Sequence, residues 1–243
     1  VTAFLSSASP TLSIIIPCWN DADVLDAQLT ALTALRGIDE IIVADASHGA
    51  DCAKIALSHG ARLVICPQAN RGSQLNEGAS IARGSVLLFH HADSELGQEH
   101  VDALRRGMGS EKFVGGGFYR KFDQRHPHLG WLERWGRRLN DLGGTIYGDQ
   151  SIFVRHDAFE ELGGFAPIPL MEDIEFSRRL HRYGRVVLLD PPIRTSARRF
   201  VRRGAWRSTM ENGTLILLYK LGVSPWRLHG WYYRQHVANR AAT

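Results

Sequence analysis

Through its first half the chain alternates short, β-branched apolar runs with stretches of helical periodicity, and this rhythm constrains its fold more than any other feature. "LSIIIP" (Leu12–Pro17), "EIIVAD" (Glu40–Asp45), "ARLVIC" (Ala61–Cys66) and "SVLLFHH" (Ser85–His91) read as buried strands. Between them, "DADVLDAQLTAL", "DCAKIALSHG" and "SQLNEGASIARG" read as helices. The first carries an N-terminal Asp, and the other two are closed by glycine. Strand–helix–strand units at this spacing build a parallel sheet. Open sheets of this kind bind ligands beyond the carboxyl ends of their strands. Asn20 and Asp21, Asp45, and Asp93 fall at three of those ends. Turn chemistry alone also recruits Asp and Asn, so it is the recurrence at successive ends that points to a site.

The second half is less regular. "FVGGGFYRKF" (Phe113–Phe122) reads as a strand at a bend, and "HLGWLERWGRRLNDLGG" as an amphipathic helix. "SIFVR" is a strand, "DAFEELGGF" a short helix with a glycine stop, "MEDIEFSRRLHRYG" a well-patterned helix and "RVVLLD" a strand. One or two helices follow Ala205. No linker interrupts the 243 residues. The expected organisation is one α/β domain over 1–204, with a basic, aromatic helical extension over 205–243 packed on it.

A hydrophobic content of 44% and a charged content of 22% suit a soluble globular protein. The net charge of +4 is unevenly placed. From Arg178 onward there are fourteen Lys/Arg against two Asp/Glu, about +12, which leaves about −8 for the rest. That asymmetry suits an anionic partner: nucleotide phosphate, phospholipid head groups or nucleic acid. A solvated basic face is the plainer reading. No nucleic-acid-binding motif is present, so nucleic acid is not an expected partner. Cys18, Cys52 and Cys66 are odd in number and lack C-x-x-C spacing, and read as reduced thiols without a zinc site. The N-terminus lacks the basic region of a signal peptide, and no apolar run reaches the ~20 residues needed to span a bilayer. A cytoplasmic location is expected. In the tail, Trp226, Trp231, Tyr232 and Tyr233 lie among Arg227 and Arg234. Aromatics among cations suit peripheral membrane contact, a lipid-linked or aromatic acceptor, or an oligomer contact such as a homodimer. A helix packed on its own domain fits equally well.

Two stretches carry chemistry. "FHHADSEL" (Phe89–Leu96) delivers His91, Ala92 and Asp93 to the end of a buried strand, where a carboxylate can hold a hard divalent ion against a diphosphate. "LMEDIEFSRRL" (Leu170–Leu180) places Glu172 and Asp173 at the mouth of a helix. Two acids there favour the helix dipole whatever else they do.

Taken together, "SIIIPCWND", "IIVADAS", "NRGSQLNEGASIARGSVLLFHHAD", "GDQSIFVRHDAFEELGGF" and "PLMEDIEFSRRLHRYG" resemble, in order and over about residues 12–200, the family 2 glycosyltransferases with the GT-A fold. The stretch through "TSARR" is most similar to a small bacterial subgroup labelled arsenosugar-biosynthesis glycosyltransferases. The resemblance implies a mostly parallel central sheet flanked by helices, with a C-terminal helical extension. It implies transfer of one sugar, with inversion, from a nucleoside-diphosphate sugar to a small-molecule or lipid-linked hydroxyl acceptor. UDP is the expected nucleotide and GDP the alternative.

The resemblance also assigns roles. Pro17, Trp19 and Asn20 match the first-strand loop against the base, and Asp45 the carboxylate at base or ribose. The acidic loop usual after it reads "ASHGAD" here, leaving Asp51 as the nearest match to its second acid. Arg71, Gln74 and Asn76 match the segment flanking the nucleotide-sugar. His91-Ala92-Asp93 stands where the family has Asp-x-Asp. Asp93 matches the metal ligand and His91 is a candidate second ligand, so the ion is Mn²⁺ or Mg²⁺. Asp173 matches the catalytic base and Glu172 its neighbour. Asp149 and Gln150 match a binding segment near donor and acceptor, and Arg198 and Arg199 a diphosphate-holding motif. The Gln-x-x-Arg-Trp pattern of processive members is missing. Two rivals remain: a non-catalytic nucleotide-sugar or lipid-binding module, and a nucleotidyltransferase on a similar fold. The latter wants a glycine-rich phosphate loop after the first strand, which "PCWNDADV" does not supply.

Overall fold

A computed structural model describes residues 9–91, 94–124, 127–197 and 204–240. Eight strands form one sheet in the order β3-β2-β1-β4-β7-β6-β8-β5. They are β1 (Leu12–Cys18), β2 (Glu40–Asp45), β3 (Arg62–Ile65), β4 (Val86–Phe89), β5 (Ser94–Glu95), β6 (Gly115–Phe122), β7 (Phe153–Arg155) and β8 (Val186–Thr195). The helices, in chain order, are α1 (Ala22–Thr33), α2 (Asp51–Ser58), α3 (Arg71–Ser80), α4 (Gln98–Met108), α5 (Pro127–Asp141), α6 (His156–Glu161), α7 (Glu172–Tyr183), α8 (Ala205–Lys220) and α9 (Pro225–Arg240).

The four strands of the βαβ rhythm pair in parallel, as the sequence implies. β1 is central, and its residues are buried on both faces. Leu12, Ile14 and Ile16 enter one core cluster and Ile15 the other, which is why the run lacks polar alternation. Beyond β4 the sheet turns mixed: β7 is antiparallel to both β4 and β6. Chain order reverses between β1 and β4, so the crevice of the fold opens where these two strands end.

Several boundaries differ from the sequence reading. Asp21 stands at the N-cap of α1 but makes no side-chain cap bond. α3 begins at Arg71, capped by Asn70, whose side chain accepts from the Ser73 N–H at 2.9 Å. It ends at Ser80, short of Gly84. Gly84 serves close approach: a Cβ there would stand 2.4 Å from Ser13 Oγ. β8 extends through Pro191 and Pro192 to Thr195, well past Asp190.

Of the described glycines, Gly116 leaves the least room for a side chain: a Cβ would fall 1.8 Å from the Val187 carbonyl oxygen. β6 and β8 can pair there only without a side chain. Gly116→Ala is therefore expected to cost about 3 kcal/mol or more, at the upper end for overpacking. Urea denaturation checks this, and an unchanged midpoint would refute it.

The C-terminal helices pack on the domain through a separate apolar cluster. Leu215 of α8 and Leu228 of α9 meet Met171 and Ile174 at the start of α7. Among the described residues no helix is long and apolar enough to cross a membrane.

Candidate functional site

The first turn of α7 meets the first turn of α3 beside the end of β4. Glu172, 3% exposed, pairs with Arg71 Nε, while the Arg71 side chain remains 41% exposed. Burial disfavours the guanidinium charge, but Glu172, with Asp173 and Asp149, outweighs it and holds Arg71 ionised. Asp173 is half-buried. Its Oδ2 accepts from the Gly148 N–H at 2.8 Å and its Oδ1 from the Ile174 N–H at 2.8 Å. Burial, then the neighbouring Glu172 charge, raise its pKa above the ordinary carboxylate value. Arg71 and the two backbone donors pull the other way without cancelling them. A dipole alone would have made it a weaker base.

The local backbone is unusual. Met171, the N-cap of α7, has φ 70, a left-handed conformation costly for a side chain of this size. α7 is held from behind by aromatic packing: the Phe165 and Phe176 rings lie 4.5 Å apart and Phe89 and Phe165 4.8 Å apart. Arg179 adds bonds to Glu175 and to the carbonyls of Leu162 and Gly164. The carboxylates thus project from a fixed helix rather than a loose loop.

The paired histidines after β4 separate, as the two-residue period of an extended chain requires. His90 is fully buried, with ring nitrogens 2.8 Å from Ser151 Oγ and 2.6 Å from Gln28 Nε2. Burial pushes its pKa down to about 4, so it is a neutral structural group. His91 lines a cavity of about 10 Å³ with Arg71, Gly148, Glu172 and Asp173. That space holds about one water and is the inner wall of the site rather than a donor cleft. Burial, then the Arg71 charge, drive the His91 pKa well down, leaving a neutral imidazole.

Asp149 joins the same field. Its Oδ2 pairs with Arg120 at 2.8 Å, while its Oδ1 is buried without a hydrogen-bond partner among the described residues. Asp45 is buried at the end of β2 and accepts from the Ser47 N–H at 2.8 Å. Trp19 is about half exposed, and Asn20 takes a left-handed turn at φ 55. Pro17 lies within β1. Asp51, in the first turn of α2, is exposed beside Lys54 at 3.9 Å.

Three of the expected binding residues make hydrogen bonds that brace the fold. Gln74 is buried, and its amide donates to the carbonyls of Cys18 and Ala44 at 2.8 and 2.9 Å, clamping the ends of β1 and β2. Asn76 exchanges two 2.8 Å bonds with the Phe165 backbone. Buried Gln150 donates to Phe118 O and Asn140 Oδ1 and accepts from the Tyr147 N–H. The amide nitrogens of all three, and the amide oxygens of Asn76 and Gln150, bond to protein. Ala92, Asp93, Arg198 and Arg199 lie outside the described residues. The sequence reading missed Gly148, whose N–H fixes Asp173, and Arg120, the partner of Asp149. A glycine directly before "DQ" was the only available signal for the first.

All three cysteines are free thiols. Cys18, Asp45 and Cys52 bring ligand atoms within 4.8 Å of one another, the one such group among the described residues. Burial raises the Cys18 thiol and lifts Cys66 to about 11, whereas metal binding needs thiolate.

Residues 13–160 match the profile of glycosyl transferase family 2. The chain belongs to this family. An uncharacterised glycosyltransferase of Mycobacterium bovis is 29% identical to the family 2 chain over 151 residues, 61% of this chain and 62% of the relative. An uncharacterised protein of Mycobacterium tuberculosis is 28% identical over 167 residues, 64% of this chain and 51% of its own. The chain thus spans 51% to 62% of the length of these curated relatives. Among solved structures, the mannosyltransferase PcManGT of Pyrobaculum calidifontis, in complex with GDP-Man and Mn²⁺, superposes with TM-score 0.62 at 17% identity, covering 93% of this chain and 70% of that one. Glucosyl-3-phosphoglycerate synthase of Mycobacterium tuberculosis, in complex with Mn²⁺, UDP and glucosyl-3-phosphoglycerate, gives 0.55 at 18% identity, covering 78% and 71%. At these identities the likeness establishes the fold, the GT-A type seen in glycosyltransferases.

Proposed function

We propose that this chain is an inverting glycosyltransferase that moves one sugar from a nucleoside-diphosphate sugar to a hydroxyl acceptor, with Asp173 as general base. The observation that carries the reading is Asp173 itself: a carboxylate fixed by two backbone donors and made more basic by burial and by Glu172. Inversion is a single displacement. The acceptor oxygen bonds to the anomeric carbon, the bond to the diphosphate oxygen breaks, and the acceptor proton passes to the base. Glu172 is poorly suited to that task, because it is buried and committed to Arg71. Its role is to position Arg71, whose half-exposed guanidinium keeps donors for a diphosphate. Asp45 and Trp19 serve the nucleoside.

The residues that would hold a divalent ion are Asp93, by family resemblance, and His91, a neutral imidazole with a nitrogen lone pair. Asp149 Oδ1, a buried acceptor lacking a partner among the described residues, is a further candidate. A mixed nitrogen and oxygen set favours Mn²⁺ over Mg²⁺. When bound, the ion neutralises charge developing on the leaving diphosphate. UDP is the favoured nucleotide by family resemblance. Exposed Trp206, Trp226 and Trp231 on the C-terminal helices support an acceptor close to a membrane surface.

A thermal-shift screen of UDP-, GDP- and TDP-sugars, with and without Mn²⁺, tests the reading. A matching donor well above its Kd should raise Tm by about 5 °C, more with the ion than without. No shift with any of them would sink the nucleotide-sugar assignment. A shift without Mn²⁺-dependent hydrolysis or transfer would indicate a binding module.

A further inference from the structure

The flank of α7 borders a second, larger cavity, of about 660 Å³. Its other walls are the segment around Gly143 and Thr145 and the turn from α8 into α9. This is the size of a small-molecule site. Arg178, His181, Arg182 and Lys220 all line it, and among the described residues no acidic side chain does. Arg178 lies 3.8 Å from Glu175 and stays largely exposed. Arg182 and Lys220 have no hydrogen-bond or ion-pair partner among the described residues. Like charges gathered on one concave wall repel each other and focus a positive potential into the space they enclose. An anion is the complement such a wall lacks.

This cavity and the Asp173 site share two walls. Ile174 and Ser177 line the larger cavity one and four residues after Asp173. Ser177 Oγ accepts from the Ile146 N–H at 2.8 Å. Ile146 lies in the segment that runs from Thr145, in the cavity wall, to Gly148, on Asp173. At the rise of an α-helix, Arg178 and Arg182 stand roughly 7–14 Å along the axis from Asp173.

We propose that this cavity is the subsite for a phosphate-bearing part of the acceptor, a statement that rests on the reading of Asp173 as base. Guanidinium forks match phosphate oxygens in shape as well as charge. The acceptor then carries its reactive hydroxyl on the order of 10 Å from its phosphate. The phosphate belongs either to a soluble phosphorylated metabolite or to a lipid.

The test uses inorganic phosphate, titrated into the full chain at constant ionic strength against chloride and read as thermal stabilisation. Wild type should be stabilised, and Arg182→Gln/Lys220→Gln should bind phosphate about tenfold more weakly. Both side chains are exposed, so the variant should fold as wild type does. The response to a nucleotide-sugar with Mn²⁺ should be equal in the two proteins. Its absence from both would break the donor reading while leaving the phosphate result standing. Equal phosphate responses in wild type and variant, or none in either, overturn the subsite. Vesicles separate the sources. Sedimentation with phosphatidylglycerol but not phosphatidylcholine, lost in the variant, assigns a lipid phosphate. A phosphate response without vesicle binding assigns a soluble one.

Discussion

Asp173→Asn is expected to lower kcat/KM for sugar transfer by about 10³ while leaving the protein as stable as wild type at pH 7, or more so. The loss follows from removing the proposed general base, a role worth about 10²–10⁴ in rate. Donor affinity should barely change, because the interaction lost belongs to the transition state. The stability effect follows from the raised pKa. A carboxyl whose pKa is higher folded than unfolded stabilises the fold at low pH, and that contribution is lost as pH rises through the folded value. At neutral pH the ionised group is therefore a burden, next to Glu172 and partly out of water. Asn removes the charge but leaves one oxygen for two backbone donors, which offsets part of the gain. The Tm difference should shrink as pH falls through the folded pKa. The wild-type rate should have an acid limb centred above the ordinary carboxylate range. Turnover by the variant equal to wild type would remove Asp173 as base, whatever the Tm.

Arg71→Ala should have the largest effect on stability among the site residues, about 2–4 kcal/mol. Glu172 is 3% exposed and Arg71 supplies its counter-charge. Stripping the cation leaves a buried carboxylate alone, and breaking such a pair costs about 3–5 kcal/mol when both partners are buried. Arg71 keeps substantial contact with water, which discounts the figure. Arg71→Ala/Glu172→Gln should recover most of the loss, since the double variant has no stranded charge, yet donor-induced stabilisation should stay weak because the proposed phosphate contact is gone. Urea denaturation of the two single variants and the double closes the cycle. Additive losses, with no recovery, would mean that the pair does not couple as described.

The strands of the first half were legible because buried parallel strands require apolar runs, and Ile14, Ile15 and Ile16 in β1 and Ile41, Ile42, Val43 and Ala44 in β2 are such runs. The full length of β8 was hidden by Pro191 and Pro192, residues that argue against a strand in sequence but are tolerated in this one. Gly84 looked like a helix stop, because sequence shows a glycine's freedom and not the Ser13 hydroxyl it must clear. The acids of the site were legible, since Glu172 and Asp173 stand where a helix must begin. The fates of Gln74, Asn76 and Gln150 were not. Periodicity tells which way a helix face looks, whereas an amide's partner is a carbonyl that only the tertiary fold brings near.

α7 spans only 12 residues, yet its opening turn bears the proposed base and its later turns bear Arg178 and Arg182 of the basic cavity. If the cavity is the acceptor subsite, substituting positions 178, 181 and 182 would retune what the protein accepts without touching the proposed base. A lineage carrying this helix could diversify its products by drift along a single face, with the chemistry of transfer inherited unchanged.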